Sequence, residues 1–273
     1  MAALDDDELT PVFSGGTSLL KGHGLIKRFS EDIDFKLILS AVFLAKSGNQ
    51  QRKKLKSFRD ALTSRWDETG FKITSVESGS GHGFFKIEMD YPSLLDPHDS
   101  LRPHILAEIS AKPPRLTVTE RPITSFVAQY DVSEAELAGI ACVDPVETAA
   151  DKLSAFSWRM IVRDRSNEND DPTIVRHLHD LAMLDEICGS NPGFAALLHE
   201  VMEGDRHRGN GAVADLSPTN RLAAMSKKLD EDELYRAEYC RFVESMAFAG
   251  EQEIPSFDQA IAALARLSAR LTA

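Results

Sequence analysis

Cysteine is scarce in this sequence. Cys142, Cys188 and Cys240 are its only three cysteines, they lie far apart, and no CxxC pair occurs. An odd number of isolated cysteines argues against a disulfide framework and against a cysteine zinc site. Apolar runs are also short, and none approaches the roughly 20 residues that a membrane-spanning helix needs. The acidic first residues, MAALDDDELTP, lack an apolar core, so we expect no signal peptide, no membrane partner and a cytoplasmic protein.

Positive charge is in deficit, because 31 Lys and Arg face 43 Asp and Glu and leave a formal net charge of −12. Such a chain has no overall attraction for nucleic acid, so a polyanionic partner must meet a local basic patch or a metal ion. The sequence also lacks the GxxxxGK[ST] and GxGxxG nucleotide-binding motifs and the HExxH zinc motif. The protein classes that these motifs mark are therefore not indicated.

Hydrophobic periodicity separates an α/β half from a helical half. Apolar runs predict strands over residues 11–14, 33–39, 71–76, 83–89 and 104–110, and further edge strands over residues 116–119 and 123–127. Apolar residues at three- and four-residue steps predict a helix over residues 49–69. Beyond about residue 140, Asp144-Pro145 and Asp171-Pro172 are helix-start signals. Later helices are expected over residues 193–203, 218–229, 231–249 and 256–271.

Most of the candidate functional residues lie in residues 13–35, which read FSGGTSLLKGHGLIKRFSEDIDF. Gly15 and Gly16 follow a strand and let backbone N–H groups approach a phosphate closely. The helix that follows adds the positive end of its dipole. Ser18 can donate a hydrogen bond to a phosphate oxygen, and Lys21, about one turn farther on, supplies a positive charge.

Asp32 and Asp34 are two residues apart in a predicted strand, so their carboxylates project from one face of the sheet. Paired carboxylates repel each other unless a cation lies between them. Mg²⁺ accepts carboxylate, water and phosphate oxygens, and can activate a hydroxyl and stabilise a leaving pyrophosphate. Taken singly, a Gly-Gly pair is usually a turn and an Asp-x-Asp pair a solvated strand face. Their combination in this order favours a functional site.

With these motifs, the sequence resembles the DNA polymerase β-type nucleotidyltransferase superfamily and, more narrowly, the AbiEii/AbiGii toxin family of type IV toxin–antitoxin systems. Residues 12–35 follow that family's GGTSL–K–GL–RFSEDIDL signature almost residue for residue. With the periodicity, the resemblance predicts an α+β (mixed α/β) fold, with a mixed-sheet nucleotidyltransferase domain over residues 1–140 and an α-helical domain over residues 141–273. It implies an NTP substrate, Mg²⁺ or Mn²⁺, an RNA acceptor such as the tRNA 3′ end, and a cognate antitoxin.

The resemblance also implies roles by position. The phosphate would be bound by Gly15, Gly16, Thr17, Ser18 and Lys21, and the metal by Asp32 and Asp34. A third metal-binding carboxylate would come from a later strand, where Glu108 in HILAEIS fits best and Glu88 in FFKIEMD is the competitor. If Glu108 is instead an ion-pair partner, the variant Glu108→Gln keeps most of the activity.

Two segments of the helical half also match the family. DPVETAADKLSAF implies that Lys152 contacts the nucleotide, and VRHLHDLAML implies that Asp180 is a second functional acid. On a helix Arg176, His177 and Asp180 share one face. The simpler alternatives are a surface position for Lys152 and an ion pair between Asp180 and Arg176.

Regulation and partner binding are indicated by two further features. Ser30 alternates with Asp32, which would place it on the metal-bearing face, and the resemblance makes it a candidate regulatory phosphosite. The basic residues of the predicted helix over residues 49–69 either contact an RNA backbone or form a solvated helix face. They are Arg52, Lys53, Lys54, Lys56, Arg59 and Arg65.

The sequence thus predicts metal-dependent transfer of a nucleoside monophosphate from an NTP to an acceptor hydroxyl. Asp32 and Asp34 would bind the metal, and Glu108 would help to deprotonate the acceptor. Two alternatives stay open. One is a protein-modifying nucleotidyltransferase or kinase on the same fold, and the other is a non-catalytic nucleotide-binding module that acts through a partner protein.

Overall fold

A computed structural model describes residues 6–92, 104–168, 170–250 and 253–271. The first five residues of the acidic N-terminal stretch lie outside the described residues. The chain divides into two compact units. The first comprises Met1–Gly24 and Phe29–Asp144, and the second comprises Leu25–Arg28 and Pro145–Ala273.

The first unit is built on a seven-stranded sheet. In chain order its strands are β1 (Leu9–Ser14), β2 (Asp32–Leu39), β3 (Lys72–Gly79), β4 (Phe84–Asp90), β5 (Ile105–Ser110), β6 (Thr119–Ile123) and β7 (Leu137–Cys142). They are hydrogen-bonded in the order β3-β4-β5-β2-β1-β7-β6. β1 runs antiparallel to β2, whereas β2 is parallel to β5 and β1 is parallel to β7. The sheet is therefore mixed, which confirms the predicted fold class.

One face of the sheet is covered by a long helix. The helices of this unit are α1 (Gly15–Lys21), α2 (Ala41–Leu44), α3 (Gly48–Glu68) and α4 (Phe126–Tyr130). A capping box between Ser47 and Gln50 starts α3. Its buried residues Leu55, Phe58 and Leu62 belong to the same core cluster as residues of the sheet, Phe35 and Leu37 of β2 among them. Because side chains alternate along a strand, the even-numbered residues of β2 project from the opposite face.

At the edge of the sheet, two predicted strands are wrong and one strand was not predicted. The strands expected over residues 116–119 and 123–127 are replaced by the single edge strand β6, where Pro122 is tolerated although it has no N–H to donate. Ser125 accepts a hydrogen bond from the backbone N–H of Ala128 at 3.0 Å and so starts α4, where a strand was expected. β7 (LAGIAC) was not predicted, because alanine and glycine have low strand propensity.

The second unit is helical in its described part. Its helices are α5 (Pro145–Val162), α6 (Arg176–Ser190), α7 (Phe194–Gly204), α8 (Pro218–Glu231), α9 (Leu234–Met246) and α10 (Phe257–Ala269). α6 packs against α5 and α10, and residues such as Leu153, Leu181 and Leu267 are completely buried. Asp171 caps a 3₁₀ turn, Pro172–Val175, which leads into α6. No helix in the described part of the chain is both long enough and apolar enough to cross a bilayer.

Candidate active site

The Gly-Gly turn lies directly against one of the two acids of β2. Gly15 has a φ of +72°, in the left-handed region that glycine tolerates and other residues rarely adopt. A Cβ atom at this position would lie 1.9 Å from Oδ2 of Asp34, far inside van der Waals contact. Ser14, which precedes the turn, is also the register partner of Asp34. The backbone of the turn and the carboxylate of Asp34 therefore share one site.

Asp32 and Asp34 lie on the same face of the sheet. They alternate along β2 with Ile33 and Phe35, which pack into the core on the other face. The hydroxyl of Thr17 donates a hydrogen bond to the backbone carbonyl of Asp32. This bond ties α1 to the start of β2 and keeps the backbone of the turn beside the two acids. The Thr17 hydroxyl thus stabilises the site, while its predicted contact with phosphate stays a prediction.

Both candidates for a third carboxylate lie on that same face. Glu108 in β5 is the register partner of Asp34, so the two residues are about 5 Å apart across neighbouring strands. Glu88 in β4 is paired with Leu106, which is itself paired with Asp32. Glu88 therefore lies one strand farther from the acids of β2, and position favours Glu108.

Glu108 is engaged in an ion pair. Its Oε1 lies 2.7 Å from Nζ of Lys86, and the two side chains are 29% and 38% exposed. Ion pairs with this degree of exposure contribute at most about 1 kcal/mol, so a stronger cation can displace Lys86. Among the described residues, no group of three or more His, Cys, Asp or Glu side chains is arranged to hold a metal. Two carboxylates still fit Mg²⁺, which commonly completes its shell with phosphate oxygens and water.

Ser18 faces the interior of the unit. Its side chain is 1% exposed, and its hydroxyl is buried near the thiol of Cys142. Burial raises the pKa of that thiol. The hydrogen bond from Ser18 to phosphate that the sequence predicted would require the hydroxyl to turn outward.

Lys21, at the end of α1, directs its ammonium group at an aromatic ring. Nζ lies 3.1 Å from the centroid of the Phe126 ring, which is a cation–π contact. Burial lowers the pKa of Lys21, because desolvation disfavours the charged form, and the nearby Glu136 partly opposes this effect. Neutralisation of phosphate by Lys21 stays a prediction.

In the helical unit, Asp180 is completely buried among cations. Arg28 donates two hydrogen bonds to it, from Nε to Oδ1 at 2.7 Å and from Nη2 to Oδ2 at 2.6 Å. Nζ of Lys152 lies 2.8 Å from the same Oδ2, and the Lys152 side chain is only 11% exposed. Burial alone would raise the pKa of Asp180, but Arg28 and Lys152 outweigh it and hold that pKa well below its usual range.

The alternative pairing of Asp180 with Arg176 is wrong, and so is a surface position for Lys152. Arg176 bonds instead to Asp171, with Nη1 and Oδ2 2.8 Å apart at the start of α6. Arg28 was not among the residues predicted from the sequence, because it is 152 positions from its partner. One signal was present: Asp180 lies among apolar residues in HLHDLAML, which favours burial, and a buried carboxylate needs a cation.

The basic residues of α3 lie on the side of the sheet opposite Asp32 and Asp34, and Ser30 lies outside β2. Ser30 is half-buried, and β2 begins only at Asp32, so strand alternation does not set the direction of its side chain. Its phosphorylation stays a prediction. α3 covers the face opposite Asp32 and Asp34. Several of its basic side chains are paired with acids, among them Lys54 with Asp6 at 2.7 Å.

Comparison with known proteins shows the family to which this chain belongs. MenT4, a nucleotidyltransferase toxin from Mycobacterium tuberculosis H37Rv, matches with 18% sequence identity and a TM-score of 0.43, over 97% of this chain and 87% of that chain. A search of curated proteins finds no match. The family described as "Nucleotidyl transferase AbiEii toxin, Type IV TA system" matches residues 1–263, nearly the whole chain. The resemblance of the sequence motifs is thereby confirmed, and the chain belongs to the AbiEii family of nucleotidyltransferase toxins of type IV toxin–antitoxin systems.

Proposed function

We propose that this chain transfers a nucleoside monophosphate from an NTP to a hydroxyl group of RNA, with the 3′ end of tRNA as the specific candidate. Membership of the family supports nucleotidyl transfer and implies a cognate antitoxin. The observation that carries the proposal is the contact of Gly15 with the carboxylate of Asp34. A backbone turn suited to phosphates thereby lies beside acids suited to a divalent cation.

Within this proposal, Asp32 and Asp34 hold Mg²⁺ or Mn²⁺, which when bound neutralises phosphate charge and favours attack by the acceptor hydroxyl. The backbone N–H groups of Gly15, Gly16 and Thr17 orient the phosphates. The chain contributes mainly by positioning the reactants and by placing charge where the reaction needs it.

Glu108 is the proposed general base. It lies on the acid-bearing face one strand from Asp34, and its carboxylate oxygen Oε1 accepts the proton of the acceptor hydroxyl. Lys86, which pairs with that oxygen in this structure, must release it first. An ion-pair role alone would leave Glu108 dispensable for activity.

Lys152 and Asp180 are proposed to act together within the helical unit. Lys152 is the proposed nucleotide contact, through the part of its side chain that remains exposed. Asp180 is 0% exposed, so it cannot touch the nucleotide in this structure and is a positioning residue for Lys152.

Incubation of the protein with each α-labelled NTP, Mg²⁺ and total RNA tests the proposal. Wild-type protein should label RNA. Asp32→Asn and Asp34→Asn should each lose at least about 100-fold in rate, the size of effect expected when key charge stabilisation is removed. Glu108→Gln should also lose about 100-fold, as for a general base. Glu88→Gln is its matched control on the neighbouring strand and should lose less than about threefold, as should Lys86→Met.

Other results point elsewhere. Undiminished labelling by the Asp32 and Asp34 variants would contradict the proposal. Label on protein, from α- or γ-labelled ATP, would support the protein-modifying alternative. Inactive Glu88→Gln with active Glu108→Gln would exchange the roles of the two glutamates.

A further inference from the structure

The first unit carries an exposed aromatic cluster. The rings of Phe29 and Phe126 meet edge to face, with centroids 5.6 Å apart and planes at 74°. They stay 40% and 39% exposed. Neighbouring apolar residues are more exposed still, with Tyr130 at 88% and Val132 at 91%. Adjacent exposed apolar residues of this kind commonly mark a binding surface.

This cluster is close along the chain to both parts of the proposed active site. Phe29 is three residues before Asp32, a separation of at most about 10 Å even in a fully extended chain. Lys21, whose ammonium lies over the Phe126 ring, ends the seven-residue helix that begins at Gly15. That helix is about 10 Å long. Stacking surface, cation, glycine turn and acids therefore fall within the reach of one bound nucleotide and its acceptor.

The charge in this cluster suits a nucleotide better than an apolar protein segment. Nζ of Lys21 is buried against Phe126 and has no hydrogen-bond acceptor among the described residues. Burial lowers the pKa of Lys21, so an anionic group nearby would stabilise its charged form. When the Lys21 side chain turns away from Phe126, a phosphate can supply that anion, and the ring that the ammonium covered becomes available for a stacked base.

We propose that Phe29 and Phe126 form an aromatic platform on which a nucleobase stacks, with Lys21 beside the phosphate of the same nucleotide. This inference rests on the proposed function and names a subsite for its substrates. The base belongs either to the NTP or to the reacting end of the RNA. Loss of base–aromatic stacking typically weakens binding about 5- to 150-fold.

The test compares wild-type protein with Phe29→Leu, Phe126→Leu and Phe126→Trp. Tyr91→Leu is a matched control, since Tyr91 is an aromatic residue of the same unit with 42% exposure. Equilibrium binding of ATP, CTP, GTP, UTP and a short single-stranded RNA is measured with Mg²⁺, together with kcat and KM for transfer. Thermal melting verifies that each variant is folded.

For the ligand whose base stacks on the platform, Phe29→Leu and Phe126→Leu should each raise Kd and KM about 10-fold or more, with kcat within about threefold of wild type. Phe126→Trp and Tyr91→Leu should keep Kd and KM within about threefold of wild type. A rise confined to one NTP, or to several, assigns the base to the NTP. A rise confined to the RNA assigns it to the acceptor. Unchanged Kd values for both ligands, an equal effect of Tyr91→Leu, or a loss of kcat alone would overturn the platform.

The binding arm separates the two proposals. If wild-type protein transfers nucleotides and the leucine variants bind NTPs and RNA as tightly as wild type, the platform proposal is wrong and the proposed function stands. Wild-type protein that binds nucleotides through the platform but labels no RNA would sink the function and leave the platform in place. Wild-type protein that neither binds nor transfers nucleotides would end both.

Discussion

Gly15 shows how the absence of one side chain permits the site to form. Its left-handed backbone turns the chain from β1 into α1, and the space that a Cβ would fill is taken by the carboxylate of Asp34. Gly24 offers a matched comparison. It also has a positive φ, of +64°, but a Cβ there would meet nothing within 4 Å. The two glycines share the conformational constraint, and only Gly15 has the close contact.

Gly15→Ala and Gly24→Ala should therefore separate stability from activity. Each substitution places a Cβ in the left-handed region, which should cost about 1–2 kcal/mol of stability. Gly15→Ala should cost more than Gly24→Ala, because its Cβ also overlaps Asp34. Only Gly15→Ala should also lose nucleotide transfer, by about 100-fold or more, because it displaces Asp34. Urea unfolding and transfer of α-labelled nucleotide to RNA measure the two effects. Equal activity of the two variants would show that the contact with Asp34 is unimportant.

The position of a site residue could be predicted from the sequence only where local backbone geometry sets the direction of its side chain. Asp32 and Asp34 share a face because alternation holds in any strand. Ser18 and Lys21 lie on a short helix whose rotation is set by packing, so their spacing could not show that one faces inward and the other meets Phe126. Arg28 was out of reach because its partner is distant in sequence.

At the level of elements, long segments with start signals were predictable and short edge segments were not. α3 and α10 each begin with a capping box and have clear apolar spacing, so local sequence and tertiary packing agree. β7 and α4 are six and five residues long. In segments of that size, contacts with neighbours outweigh local propensity.

Anchorage of α6 to the segment Leu25–Arg28 depends on a buried ion pair. Arg28 is 3% exposed and Asp180 is 0% exposed, so removal of the arginine leaves a buried carboxylate with only part of its compensation. Arg28→Met should destabilise the helical unit by about 3–5 kcal/mol. Denaturant unfolding followed by circular dichroism gives that value.

The matched control uses the same chemistry at the surface. Arg236 also bonds to its partner Asp258 through two nitrogens, but the side chains are 54% and 75% exposed. Arg236→Met should leave the unfolding midpoint nearly unchanged, because water replaces the lost contacts. If the two methionine variants unfold alike, Lys152 alone compensates Asp180 and the role given to Arg28 is wrong.

For the whole molecule, the net charge of −12 limits how RNA can be bound. Repulsion of a polyanion over most of the surface must be offset locally. The densest basic run lies on α3, across the sheet from Asp32 and Asp34, and part of its charge is engaged with acids of the same unit. Under the proposed function, a divalent cation at Asp32 and Asp34, together with Lys21, would meet the phosphate, and α3 would be a solvated face.

Stability should depend on pH through buried titratable groups, with the histidines acting in one pH range and Asp180 in a lower one. Burial lowers the pKa of His177 well below its ordinary value of 6.5, and Lys152 and Arg176 add to the effect. Below about pH 6.5 the unfolded chain binds a proton at His177 that the folded chain does not bind. The free energy of unfolding therefore falls as the pH drops below about 6.5. His23 acts in the same direction, because burial lowers its pKa too. Asp180, with a depressed pKa, loses its stabilising effect only below about pH 4.

His177→Phe should remove most of the decrease in the free energy of unfolding that the helical unit contributes between pH 7 and pH 5. A phenyl ring can occupy the same buried position beside Phe156, whose ring centroid lies 6.0 Å from that of His177, and it binds no proton. The free energy of unfolding of the wild type should fall by up to about 1.4 kcal/mol per pH unit for this one proton, and the variant should lack that slope. Denaturant unfolding at half-unit steps of pH measures it, with the exposed His207→Gln as control. A variant slope equal to that of the wild type would mean that His177 takes up its proton without unfolding.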